Sequence, residues 1–221
     1  KDKLMSLYQL KDPSYSIKDD LVYTSYNLYN LTSRPTNSYN NINFLAIPKE
    51  GEYRSCFMPK NDYFIDFDFD GYHLRLIAKL IGYVLPEEPV HEYLGRYYFK
   101  KDKLTPEEYS EAKKISFRQL YGGVEDKYKH IPFLANLDAF ITYNWNVYKD
   151  SGQFKLPTGR ILRMHEGMNP CKLFNYIIQN LETKVNIGKL ISIQKLINEE
   201  GCKSRVVLVT YDSILIDFAL E

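Results

Sequence analysis

The sequence predicts an α+β fold: an antiparallel sheet with packed helices, its strands separated in the chain by a mainly helical insertion. Three observations predict it. Residues 63–70, YFIDFDFD, alternate with period two, as a strand does. Residues 205–218, RVVLVTYDSILIDF, set two apolar runs around Tyr211-Asp212-Ser213, the pattern of a β-hairpin. Between these two regions apolar residues recur at helical spacing in successive segments.

Taken in order, residues 1–50 are polar and turn-rich, with Asp12-Pro13, Arg34-Pro35 and Asn40-Asn41. They show no sustained helical period and predict an irregular segment leading into strands. In the strand at 63–70, pleating puts Phe64, Asp66, Asp68 and Asp70 on one face and Ile65, Phe67 and Phe69 on the other. A helix follows over 72–83, with a stripe of Leu74, Ile77, Ala78 and Ile81 and with Arg75 and Lys79 beside it. Pro86 and Pro89 interrupt, and 90–99 reads as a short aromatic helix. Thr105-Pro106-Glu107-Glu108 is a helix start, with Thr as N-cap, Pro at the first helical position and acids in the first turn. That helix runs to Tyr121, where Gly122-Gly123 stops it. An amphipathic helix is expected over 131–148, a turn between short strands at 155–160, and a long helix from Pro170 to about Glu200, broken near Gly188. The final hairpin carries Asp212 at its tip. With no repeat and no linker, the chain reads as one α+β unit.

The composition excludes several classes. With 221 residues, 44% of them hydrophobic, the chain is long enough for a proper core. Its 29 Lys+Arg against 28 Asp+Glu leave a net charge of +1, so nucleic-acid binding would have to rest on a local patch. Cys56, Cys171 and Cys202 are odd in number and widely spaced, which fits neither a disulfide framework nor a zinc knuckle and suits a reducing compartment. His73, His91, His130 and His165 lack metal-ligand spacing, and the last three read as structural or surface residues. No run approaches the roughly 18 apolar residues of a membrane span, so no membrane partner and a cytoplasmic location are expected. The 20 tyrosines, with abundant Asn, Lys and Ile, suggest an A/T-rich genome.

Three groups of residues can carry chemistry. Carboxylates on one strand face repel one another unless water or a cation screens them. The acidic strand is therefore either a solvated edge or part of a divalent-metal site. Asp212 is either ordinary turn chemistry or a second carboxylate beside the first, as two-metal phosphoryl transfer requires. Lys113, Phe117 and Tyr121, at i, i+4 and i+8, share one helix face. They form either a core edge with a snorkelling lysine or a surface that takes a triphosphate and a stacked base.

The order of these elements resembles the palm and fingers of family A DNA polymerases, the type of bacterial DNA polymerase I and many phage replicases. Asp68-Phe69-Asp70-Gly71-Tyr72-His73-Leu74-Arg75 is similar to that family's D-x-S-x-x-E-L-R, and residues 113–122, KKISFRQLYG, to its R-x-x-x-K-x-x-x-[FY]-G-x-x-Y-G fingers helix. Tyr211-Asp212-Ser213 stands where the family has H-D-E. Thr32-Ser33-Arg34 with Asn41-Ile42-Asn43 and Ile47-Pro48 resembles T-G-R…P-N-L-Q-N-I-P, and residues 175–179, NYIIQ, resemble N-A-P-M-Q. The five segments fall in order over nearly the whole chain.

The resemblance implies a template-directed DNA polymerase that extends a primer 3′-hydroxyl with dNTPs. It implies two Mg²⁺ ions, or Mn²⁺ in their place, held by Asp68, Asp212 and the Phe69 carbonyl. Lys113 would contact the triphosphate; Phe117, Tyr121, His73 and Tyr109 would line the nucleotide site; Arg34, Asn175, Gln179 and Arg75 would touch primer–template DNA. It implies a palm over residues 1–78 and 166–221 and fingers over 79–165. The thumb and exonuclease regions would belong to a longer chain or a second subunit, and a divergent enzyme of this kind looks most like one from a phage, acting in the host cytoplasm.

The departures are specific. Tyr109 replaces the family's arginine, His73 the glutamate near the nucleotide sugar, and Ser213 the H-D-E glutamate. They keep two alternatives open: a single-subunit RNA polymerase, and a non-catalytic nucleic-acid-binding module with the same fold.

Overall fold

The computed structural model describes residues 2–9, 17–37, 42–48 and 50–220. Asp12-Pro13, Asn40-Asn41 and hence part of the Asn41-Ile42-Asn43 segment lie outside the described residues. In chain order the elements are α1 (Asp2–Tyr8), β1 (Ile17–Lys18), β2 (Leu21–Val22), β3 (Tyr26–Asn27), β4 (Thr36–Asn37), β5 (Tyr63–Asp68), α2 (Tyr72–Leu80), α3 (Val90–Phe99), α4 (Pro106–Gly122), α5 (Pro132–Ser151), β6 (Gln153–Lys155), β7 (Ile161–Arg163), α6 (Pro170–Glu199), β8 (Arg205–Thr210) and β9 (Ser213–Phe218). The chain forms two compact units, one of Lys1–Asp68 with Val185–Glu221 and one of Phe69–Lys184.

The first unit is built on a three-stranded antiparallel sheet in the order β5-β9-β8. Its central strand β9 buries Ile214 and Ile216, while β5 is an edge strand with Phe67 55% exposed. Register runs unbroken from Tyr63 opposite Phe218 to Asp68 opposite Ser213. Asp217, buried in β9, secures the entry to β5: its carboxylate accepts the backbone N–H groups of Lys60 (3.2 Å) and Asn61 (2.9 Å). In β8 the register slips between Val206 and Leu208, a bulge that leaves Val207 exposed.

The irregular segment expected over residues 1–50 is more ordered than its pattern suggests. It holds α1, with Leu4 buried and the Tyr8 ring edge-on to Tyr53 and Phe57, and two short ladders, β1–β2 and β3–β4. Asp19 and Asp20 both take positive φ (52° and 61°) in the turn between β1 and β2, which aspartate tolerates and tight hairpins need. A seven-residue helix and two-residue strands are too short to show a period.

The strand predicted to Asp70 ends at Asp68. Gly71 caps α2 at φ +56°, and a Cβ there would stand 3.3 Å from the Val90 side chain. Arg75 then holds both the Asp70 carbonyl (3.1 Å) and its carboxylate (3.2 Å). The strand face therefore narrows to Phe64, Asp66 and Asp68. The break expected near Gly188 is also absent: α6 is one 30-residue helix. A single glycine costs about 1 kcal/mol in a helix, too little to interrupt so many turns.

The second unit packs α2 to α6 around Leu74, Ile77, Val90, Leu94, Leu120, Leu134, Leu137, Phe174 and Ile178. The predicted N-terminus of α4 is a full capping box: Thr105 accepts the Glu108 N–H (3.2 Å), and the Glu108 carboxylate accepts the Thr105 N–H (3.0 Å). Helices α3 and α4 approach closely at Gly95, where a Cβ would fall 2.4 Å from Leu104 Cδ1 and 3.0 Å from Ala112 Cβ.

Because Asp217 satisfies two backbone donors from within β9, Asp217→Ala is expected to lower unfolding stability by about 2 kcal/mol, read from chemical denaturation. A change within about 0.5 kcal/mol, the range of an ordinary surface substitution, would contradict this role.

Candidate active site

In the first unit, the sheet brings the two sequence-predicted aspartates to one end. Asp68 closes β5 opposite Ser213, and Asp212 immediately precedes Ser213 in the two-residue turn between β8 and β9. Facing Cα atoms in an antiparallel ladder lie about 4.5–5.5 Å apart, so the aspartates are neighbours offset by one residue. Both are exposed.

The turn carrying Asp212 is unusual in its backbone. Tyr211 takes φ +47°, a region that bulky residues avoid unless neighbours hold them there. Three contacts do so. The Arg34 guanidinium lies 4.7 Å from the Tyr211 ring centroid, Asn186 Nδ2 donates to the Tyr211 carbonyl, and Thr210 and Ser213 share a hydroxyl hydrogen bond of 2.6 Å at the base of the turn. Arg34, expected on DNA, is thus placed where it braces the aspartate's turn.

Among the described residues no three His, Cys, Asp or Glu side chains gather into a metal cage. Two hard carboxylates at one sheet end fit Mg²⁺ in another way, since that ion commonly takes one or two carboxylates and completes its shell with water and substrate phosphates.

In the second unit, α4 presents Tyr109, Lys113, Phe117 and Tyr121 at successive i, i+4 positions. Lys113 is exposed, and the Phe117 and Tyr121 rings stack at 6.1 Å. Behind this row sits His91, 3% exposed, edge-on to Phe117 (5.4 Å) and Tyr109 (6.2 Å). Burial pushes its pKa down, the Lys113 ammonium pushes it further, and Asp70 opposes them in part. Phe69 stacks on Tyr72 at 4.6 Å.

Tyr121 is tied on several sides. His73 Nδ1 is hydrogen-bonded to its hydroxyl, and Asn175 Nδ2 donates to its carbonyl (3.4 Å). The other His73 nitrogen, Nε2, lies 3.2 Å from the Glu182 carboxylate. Gln179 is half-buried one turn beyond Asn175 on α6, its carbonyl accepting the Thr183 hydroxyl (3.0 Å). Arg75, besides Asp70, donates to the carbonyls of Pro86 (3.3 Å) and Glu88 (3.0 Å) and so braces the loop between α2 and α3.

Sequence reasoning passed over Glu182, Asn186 and the burial of His91. Glu182 had a signal: it follows Phe174 and Ile178 at i+8 and i+4, so the buried stripe of α6 contains a carboxylate.

No protein-family model matches the sequence, and no curated protein matches it. The fold does match solved structures. One, described as the POL domain of Pol1 from M. smegmatis in complex with DNA primer-template and dNTP, superposes with a TM-score of 0.77 at 17% identity. The match covers 93% of this chain and 43% of that one, so the chain spans less than half of that protein's length. The α+β architecture of this chain is thus similar to that of the domain in that structure. Among the described residues no helix is long and apolar enough to cross a membrane.

The His91 environment makes a pH prediction. Its folded pKa lies below the ordinary 6.5, so the unfolded chain binds the proton more readily. The stability this contributes is full above about pH 6.5 and is lost as pH falls through the lowered value. His91→Leu is therefore expected to lose less melting temperature than wild type between about pH 7.5 and 5. Parallel pH profiles of Tm would contradict it.

Proposed function

We propose that this chain is the palm and fingers portion of a template-directed DNA polymerase, divergent and of the family A type, extending a primer 3′-hydroxyl with dNTPs. The observation that carries the reading is the register of β5 on β9, which sets Asp68 beside Asp212 at one sheet end. The polymerase-domain fold and the order of the five motif segments support it. We assign residues 1–78 and 166–221 to the palm and 79–165 to the fingers; the compact units divide at different points, Asp68/Phe69 and Lys184/Val185, which puts 69–78 and 166–184 in the second unit.

In this reading the 3′-hydroxyl gives up its proton to solvent and its oxygen attacks the α-phosphorus of the dNTP, a new phosphodiester bond forms, and the bond from the α-phosphorus to the bridging oxygen breaks to release pyrophosphate. Asp68 and Asp212, with the Phe69 carbonyl, are the oxygen donors that would hold two Mg²⁺ ions, or Mn²⁺. When bound, these would neutralise phosphate charge and favour ionisation of the attacking hydroxyl. Arg34 and Asn186 keep the Tyr211 turn rigid, so the Asp212 backbone arrives preorganised.

Lys113 is the charge that would meet the triphosphate, and Phe117 and Tyr121 offer rings for the incoming base, with Tyr109 and His73 beside them. Asn175 and Gln179, with Arg34 and Arg75, are the proposed duplex contacts; polar groups in a minor groove sense pair geometry without reading most of the sequence. The divergence of the motifs favours a phage origin and action in the host cytoplasm.

One observation favours testing a second substrate. At the position of the family's sugar-proximal glutamate the chain carries His73, already bonded to Tyr121 and Glu182. The assay therefore compares dNTPs with rNTPs on a labelled primer–template. Asp68→Ala and Asp212→Ala are each expected to reduce extension on the order of a thousandfold while the far-UV spectrum is kept. Extension at wild-type rate by either variant would contradict the reading, and a preference for rNTPs would assign the chain to RNA synthesis.

A further inference from the structure

A carboxylate inside a protein is costly unless something in the fold answers it. Glu182 is 1% exposed, on the stripe of α6 that otherwise buries Phe174 and Ile178. A leucine would serve packing better. The Glu182 side chain instead meets His73 Nε2 at 3.2 Å, with the His73 side chain itself 11% exposed. From the far side of the same ring, Nδ1 is hydrogen-bonded to the Tyr121 hydroxyl.

Three helices are joined by this chain of atoms: α6 through Glu182, the first turn of α2 through His73, and the last turn of α4 through Tyr121. The last turn of a helix has no following turn to hold it, and α4 ends one residue after Tyr121, with Gly123 at φ +94°. Backbone bonds alone therefore leave the Tyr121 ring less firmly placed than the Phe117 ring one turn earlier. An ionised carboxylate only accepts hydrogen bonds, so it selects the imidazole with a proton on Nε2. In the neutral ring Nδ1 then accepts the Tyr121 hydroxyl hydrogen. The arrangement orients a histidine from behind by a carboxylate, as metal-bound and catalytic histidines are oriented, but here the oriented partner is a tyrosine.

We propose that Glu182 is a positioning residue for nucleotide binding: through His73 it fixes the Tyr121 ring on the face of α4 that receives the incoming dNTP. This rests on the polymerase reading given above. Glu182 itself touches no substrate. Its loss acts on how well the nucleotide is bound, and only through His73 and Tyr121.

The test is steady-state incorporation of a single dNTP by wild type, Glu182→Leu and Glu182→Gln, each combined with Tyr121→Phe, which removes only the hydroxyl. Glu182→Leu is expected to raise the dNTP KM about tenfold, with kcat changed less than about threefold. Glu182→Gln, nearly isosteric, is expected to raise KM by a smaller factor. In a double-mutant cycle Tyr121→Phe is expected to add little to either Glu182 variant, because both changes cut one chain. A purely structural glutamate would give additive effects and a fall in kcat with the melting temperature. If Glu182→Leu does not fold, the Glu182→Gln cycle decides alone. An unchanged KM in a folded variant, or full additivity with Tyr121→Phe, overturns the assignment while leaving the polymerase reading standing. Failure of wild type to incorporate any nucleotide overturns both.

Discussion

The pairing of β5 with β9 is the constraint on which the rest depends. The two strands are separated by the whole second unit, so their ladder closes a very long loop, and loop-closure entropy opposes it until the strands have met. Six consecutive pairs hold the register, from Tyr63–Phe218 to Asp68–Ser213, and Asp217 reaches back to the backbone just before β5. A slip of one residue would turn every β5 side chain to the opposite face and carry Asp68 away from the turn. The site thus inherits its geometry from the sheet.

Within that sheet, stability and function make different demands on the same strand. Edge strand β5 exposes Phe64, Phe67, Asp66 and Asp68, and the buried apolar contribution comes from β9. Carboxylates on an edge discourage pairing with other chains, so the acidic face is useful even without a metal. The Tyr211 turn points the other way. A two-residue hairpin needs a positive φ at its first turn position, but a tyrosine takes it with strain that a glycine or asparagine would avoid, and an arginine, an asparagine and a hydroxyl pair all hold it. Strain maintained by several neighbours beside an aspartate is what a preorganised site requires.

Much of this was legible in the chain because it is local. The capping box at Thr105 and Glu108, the alternation from Tyr63, the stop at Gly122-Gly123 and the hairpin at Asp212 are each written in a few adjacent residues. What escaped is short or distant. Seven-residue α1 and the two-residue ladders carry no period, and the turn that follows the strand is fixed by contacts between non-adjacent residues, Asp70 with Arg75 and Gly71 beside Val90. Gly188 looked like a break because propensity is a weak prior beside the length of α6. The His73–Glu182 pair joins distant segments, and only the misplaced acid on an apolar stripe hints at it.

In the proposed polymerase, Asp68 and Asp212 act as one ligand set. The direct measurement is Mn²⁺ binding, followed by electron paramagnetic resonance in the presence of dNTP, for wild type, Asp68→Asn, Asp212→Asn and the double variant. Binding is expected in wild type, with a loss of at least about tenfold in affinity on removing either carboxylate and a double variant little worse than the weaker single one. Wild-type affinity in either single variant, or independent additive losses, would show that the sheet brings together two aspartates that do not share an ion.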